Sequence, residues 1–221
     1  LPVLEIERGP HFCAMDLTLK PQGSYEGAGL SVSLHPSSWA SIARLGEDGY
    51  ILERPGARFI DRLALTKLQV ADIIQWGRDE GLVADGETWK VSYYDADDEA
   101  RRSFTVGSRE DAETEAEILE RTRITGPLRT PMATPELLSR SMHGRADASP
   151  DLVFDLTLVA LAESLGYDGV WWRERHDHAR LSAPRGVIVP GMVEDWSSCP
   201  ADRLQLEAFQ DDPSPSRGPR P

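Results

Sequence analysis

Between Ala160 and Pro190 the chain changes its hydrophobic pattern three times, and each change marks an element boundary. ALAESLG continues a helical pattern that Gly166 closes. Val170-Trp171-Trp172 then reads as a strand, followed by a loop dense in Arg, Glu, His and Asp and a second β run at Gly186-Val187-Ile188-Val189. Two strands framing a charged loop make a site rim, because strands position what loops carry. Strand alternation sends Trp171 and Trp172 to opposite faces, one into the core and the other over a helix, a cleft or a partner.

The rest of the chain supplies further strands and helices in mixed order. Leu1 to Ile6 alternates and reads as a strand that stops at Gly9-Pro10, and Ala14 to Leu19 reads as another. Leu30-Ser31-Val32-Ser33-Leu34 alternates strictly, and Pro36 opens a helix carrying Trp39 and Ile42. A short β run at Phe59-Ile60 precedes a helix with Leu68, Val70, Ile73, Ile74 and Trp76 on its buried side and Thr66 as its cap. Trp89 to Tyr94 and Arg102 to Val106 form a hairpin across the acidic turn Asp95 to Glu99. Ser108 caps an acidic helix reaching about Arg121, and 126–144 reads as a connector with one short helix at Glu136 to Ser139. Ser149-Pro150-Asp151 starts a helix that is apolar on most faces and therefore buried.

Six to eight strands and four or five helices, with hairpins and crossovers mixed, predict an α+β class: a mixed, mostly antiparallel sheet flanked by four or five helices. Residues 1–210 form a single domain with a small subdomain at 54–125, and 211–221 is a Pro/Ser-rich disordered tail.

Charge narrows the partners. The formal net charge of -13 repels a phosphate backbone on average, so non-specific nucleic-acid binding is not expected. Arg101-Arg102 and the Arg121 to Arg129 segment are local exceptions that read as solvated faces. No apolar run approaches ~18 residues, so no membrane span is expected, and LPVLEIERG lacks the pattern of a signal peptide. Two cysteines far apart, Cys13 and Cys199, suit a reducing, cytoplasmic setting.

Three groups of residues have chemistry. Gly27-Ala28-Gly29 feeds a strand with Ser31 and Ser33 on one face, either a cradle where backbone approaches a ligand or a turn before an edge strand whose serines face water. Arg185 beside Gly186 suits a bidentate grip on a phosphate or carboxylate, and Tyr167 lies in the preceding turn with Gly169 relieving the backbone. In the charged loop, Glu174 is an acid or base, or half of an ion pair with a neighbouring Arg. His176-Asp177-His178 offers two imidazoles and a carboxylate that a metal could use, but alternating residues share a face poorly with the intervening Asp, so it reads as a solvated loop and no metal site is assigned.

These residues resemble scraps of the ADP-ribosyltransferase superfamily. Gly27, Gly29, Leu30 and Ser33 are similar to its Gly-x-Gly-apolar-aromatic-apolar-Ser strand, with Ser31 where the stacking aromatic stands. Ser31 and Ser33 are also similar to its Ser-Thr-Ser strand, with Val32 in place of Thr. Arg8-Gly9 looks like the Arg-Gly pair that ends an early strand, and Leu165 to Trp172 is similar to the closing part of several bacterial and phage members. The resemblance implies NAD as co-substrate, bound by Arg8, Gly9, Gly27, Gly29, Ser31, Ser33, Tyr167 and Arg185, with Glu174 as the catalytic acid. It implies a bacterial toxin or defence effector acting on a protein or small-molecule target. The strand after the loop carries Ser182-Ala183-Pro184-Arg185 where that family has an acid. A second reading therefore stands beside the first: a non-catalytic interaction module with an acidic surface, docking a partner through the Trp171/Trp172 edge.

Overall fold

Phe59 and Ile60, adjacent on one strand, are both fully buried in different apolar clusters, and this division organises the molecule. The computed structural model describes residues 1–11, 29–33, 49–95, 99–140, 150–172, 185–202 and 205, with the backbone alone at 8–11 and 150–151. Along the chain run β1 (Val3–Glu5), β2 (Arg8–His11), β3 (Leu30–Val32), β4 (Gly49–Glu53), β5 (Arg58–Asp61) and α1 (Lys67–Asp79). Then come β6 (Val83–Asp95), β7 (Ala100–Val106), α2 (Arg109–Ile118), β8 (Arg123–Ala133), α3 (Pro135–Arg140) and α4 (Pro150–Ser164). β9 (Gly169–Trp172), β10 (Arg185–Ile188) and β11 (Ser197–Ala201) close the sequence, with 3-10 turns at Arg62–Ala64 and Pro190–Asp195.

The strands form three sheets. The largest has the order β1-β5-β9-β10-β3, and its β5–β9 pair is parallel while its other pairs are antiparallel. The second, β11-β4-β2, and the third, β7-β6-β8, are antiparallel throughout. The α+β class with a mostly antiparallel mixed sheet holds, with four α-helices among the described residues.

Alternation along each strand of the large sheet sends side chains to two faces. Ile60, Val170, Trp172 and Val187 face α1 and α4, meeting Ile73, Val153, Leu156 and Val159. Leu4, Phe59, Trp171, Ile188, Leu30 and Val32 face the second sheet, meeting Leu52 and Trp196. Phe59 stands edge-on to both Trp171 and Trp196, each 6.0 Å away between ring centroids.

Local chemistry sets the helix ends. Thr66 caps α1 in a full capping box: its hydroxyl accepts from the Gln69 N–H and the Gln69 side chain reaches back to the Thr66 N–H. Ser108 accepts from the Asp111 N–H at 3.0 Å and starts α2. After α4 the backbone turns at Gly166 with φ +70°, a left-handed position that suits glycine.

The structure corrects five expectations. Eleven strands are present among the described residues rather than six to eight, because short segments pair at sheet edges. Gly9-Pro10 lies inside β2 instead of ending a strand, and β2 is an edge, where a residue without an N–H is tolerated. The expected connector at 126–144 begins as β8, also an edge strand, which accommodates Pro127 and Pro131 in the same way, while its expected short helix is present as α3. Gly166, not Gly169, relieves the turn before β9; Gly169 instead lies hard against the Val187 carbonyl and Phe59, where a Cβ would collide. Trp171 and Trp172 go to opposite faces as expected, Trp172 against the helices, but both are buried, which overturns the reading that their edge docks a partner. The expected strand at 14–19, the helix from Pro36 and the tail lie outside the described residues.

Asp168 fastens this frame where β9 begins. Its Oδ1 accepts from the Arg54 guanidinium and its Oδ2 from the Arg58 N–H at 2.8 Å. Arg54 also reaches Asp195 at 3.3 Å, so one arginine links the β4–β5 turn, the start of β9 and the 190–195 turn.

Candidate functional site

β5 and β9 run parallel, and crevices form beyond the carboxyl ends of such strands. β10 enters at that end through Arg185, whose register partner is Trp172, the last residue of β9. β3 leaves at the same end: Gly186 pairs with Val32, which puts Ser33 next to Arg185. Leu30 and Val32 face the inter-sheet core, so Ser31 and Ser33 lie on the helix-side face with Val187, Arg185 and Trp172. Ser33 is buried and Ser31 half-buried.

Two acids frame the same end. Asp61, the last residue of β5, is only 5% exposed and its N–H donates to the Pro2 carbonyl at 2.9 Å. Asp155, in the second turn of α4, accepts from Arg62 Nε at 2.5 Å, and the Arg62 guanidinium lies 5.5 Å from the Phe154 ring centroid. A buried carboxylate held by an arginine is a fixed charge, able to orient its neighbours without rearranging. The serines, Arg185, Arg62 and Asp155 therefore gather at this end over an apolar floor, whereas alternation from Ile60 turns Asp61 to the other face, with Phe59 and Trp171. That combination can bind a polar ligand with an anionic group and hydroxyls.

Of the sequence-predicted residues, Ser31, Ser33 and Arg185 come together. Arg8 and Gly9 belong to β2 in the second sheet, standing opposite Glu53 and Leu52, and β2 lies alongside β3. Gly29 precedes the opposite end of β3, pressed against the Ile188 carbonyl and the Val187 side chain, so its missing Cβ serves strand packing. Tyr167 lies before the start of β9, about 16 Å of strand from Trp172 at ~3.3 Å per residue. Its ring sits under the Arg58 guanidinium at 5.2 Å and packs on the α1–α4 core. Tyr167 and Gly29 thus stand away from the rim that holds Arg185. Glu174 and Gly27 lie outside the described residues.

Asp61, Arg62 and Asp155 escaped the sequence reading. Their signal was present: Asp155 is an acid inside a helix whose apolar residues demand burial, and Asp61 directly follows an apolar strand pair. An ionised side chain among buried neighbours needs a partner, and such pairs gather at sites.

Among the described residues no three His, Cys, Asp or Glu side chains gather to hold a metal ion, and no helix is long and apolar enough to cross a membrane. Cys199 is an exposed free thiol. Comparison of the chain with protein families, with curated proteins and with solved structures gave no match in any of the three.

Proposed function

We propose that the chain is an NAD-binding protein of ADP-ribosyltransferase type, with its dinucleotide site at the rim where β9 and β3 end and β10 begins. One observation carries the reading: the β3–β10–β9 register sets Ser31, Ser33 and Arg185 side by side. Arg185 supplies a planar fork for a pyrophosphate oxygen pair, and the serines supply hydroxyl partners for the nicotinamide ribose. Glu174 follows Trp172 by two residues in the sequence and is the acid assigned to the ribose hydroxyl and to oxocarbenium character at the anomeric carbon. Arg8 and Gly9 sit on the strand beside β3 and belong to the same reading. The target is a protein or small molecule, and the setting is a cytoplasmic toxin or defence effector.

Thermal unfolding with and without millimolar NAD tests this. A ligand at ~100 times its dissociation constant adds about 2.7 kcal/mol, which raises Tm by about 5 to 10 °C for a chain of this size. The rise should vanish in Arg185→Ala and Glu174→Ala. No rise at any NAD concentration, or an equal rise in both variants, rejects the site.

A further inference from the structure

The third sheet carries a surface that the NAD reading does not use. Val91 on β6 is fully buried, and its cross-strand neighbours Phe104 and Ile124 share its face, which α2 covers through Ala112. Alternation then turns Lys90, Ser92 and Tyr94 to the opposite face. Their partners there are Thr105, Ser103 and Arg101 on β7, and Thr125 and Arg123 on β8. Arg121 stands just before β8, with its guanidinium 5.1 Å from the Tyr94 ring centroid. The two short basic segments separated in sequence thus meet across β6.

Lys90, Arg101, Arg121 and Arg123 are exposed, and among the described residues none of them forms an ion pair. The acid Asp95 alternates to the helix side and pairs with Arg102 at 2.8 Å. Among the described residues, Glu99 at the hairpin tip and Glu120 beside Arg121 are adjoining acids, and the sequence places Asp97 and Asp98 in the same turn. Four cations and five hydroxyls, Tyr94 included, therefore cluster at one sheet face on a chain of net charge -13. Charges beyond about 8 Å are largely screened at physiological salt, so the local face and not the total sets what docks there.

Arg121 adds a second, independent sign. Its backbone is left-handed at φ 50°, a conformation that costs a non-glycine residue about 1 kcal/mol or more. A glycine would hold that turn without strain. The arginine instead lays its guanidinium over Tyr94 and leaves its outer plane to solvent.

We propose that this face of β6, β7 and β8 binds single-stranded nucleic acid, with Lys90, Arg101 and Arg123 on phosphates and a base stacked on the Arg121–Tyr94 pair. Guanidinium and aromatic planes take unstacked bases, and an acidic peptide has no use for such a platform. Three strands span only about 10 Å, a width that suits one backbone and not a duplex. The site is independent of the NAD rim.

The test is fluorescence anisotropy of the full chain with labelled single strands of about 12 nucleotides, between about 50 and about 200 mM salt. With three phosphate-directed cations the slope of log K on log salt is about -2.1, an affinity loss of about 20-fold over that range. Arg121→Gly should weaken binding about tenfold while leaving the melting temperature unchanged or higher, because it keeps the turn and removes the stacking plane. Arg123→Ala should weaken binding similarly and flatten the slope by about 0.7. Arg109→Ala, on the α2 side, should change nothing. Absence of binding at about 50 mM salt overturns the proposal. So does equal binding of a duplex, equal displacement by polyglutamate, or loss of binding in Arg109→Ala.

Discussion

Replacing Asp168 should cost more stability than any other single surface-proximal charge change in the molecule. The carboxylate is 5% exposed and accepts two hydrogen bonds from different segments, the Arg54 guanidinium and the Arg58 N–H at 2.8 Å. Hydrogen bonds to a charged group contribute about 1.5–3 kcal/mol each, and breaking a buried pair costs about 3–5 kcal/mol. Arg54 is 28% exposed and keeps Asp195 at 3.3 Å, so water and that second acid offset part of its loss. Asp168→Ala should therefore lose about 3 kcal/mol. Asp168→Asn, which keeps the shape and one acceptor oxygen, should lose about half of that. At roughly 2–4 °C per kcal/mol, the alanine variant melts about 6 to 12 °C lower. Asp195→Ala removes an exposed partner and should cost under about 1 kcal/mol. Chemical denaturation of the variants, with Arg54→Ala completing a double-mutant cycle, measures the coupling directly. An Asp168→Ala loss below about 1 kcal/mol, or no coupling to Arg54, would refute the account of this junction.

Two further predictions concern the frame. Gly169→Ala places a methyl against the Val187 carbonyl and the Phe59 ring, and should cost about 3 kcal/mol; Gly56→Ala, with open space but φ +73°, should cost about 1 kcal/mol. Equal denaturation midpoints for the two would show that close packing of β9 does not govern this position. Thr66→Ala removes the hydroxyl arm of the capping box while keeping the backbone N–H that donates to Gln69, and should cost about 1 kcal/mol, with Thr66→Ser restoring most of it; a silent Thr66→Ala in urea unfolding would rule out that cap as a stabilising element.

Local signals read well wherever a residue's own chemistry decides the outcome. The caps Thr66 and Ser108, the hairpin from Trp89 to Val106, the buried α4 and the strand pair framing the charged loop were all legible. The edge strands β2 and β8 were not, because they hold prolines that break local strand propensity. Pairing to β4 and β6 overrides that propensity, since an edge leaves one row of N–H groups unused anyway. At the candidate site, Ser31, Ser33 and Arg185 stood out by residue type, while Asp61, Arg62 and Asp155 did not. Their meaning depends on a 2.5 Å contact between residues far apart in the chain.

The sequence alone determined the periods and therefore the α+β class: α4 must be buried, β9 and β10 must flank the charged loop, and helices must start where their caps stand. Only the tertiary structure decided which face each side chain meets. Trp171 and Trp172 differ by one position and go to separate cores, because a strand's period of two needs a sheet on one side and helices on the other to acquire consequences. The same holds for charge. Net charge is a sum over the chain, but Lys90, Arg101, Arg121 and Arg123 act together only once β6 brings β7 and β8 to its two sides, within the distance over which water and salt leave a field intact.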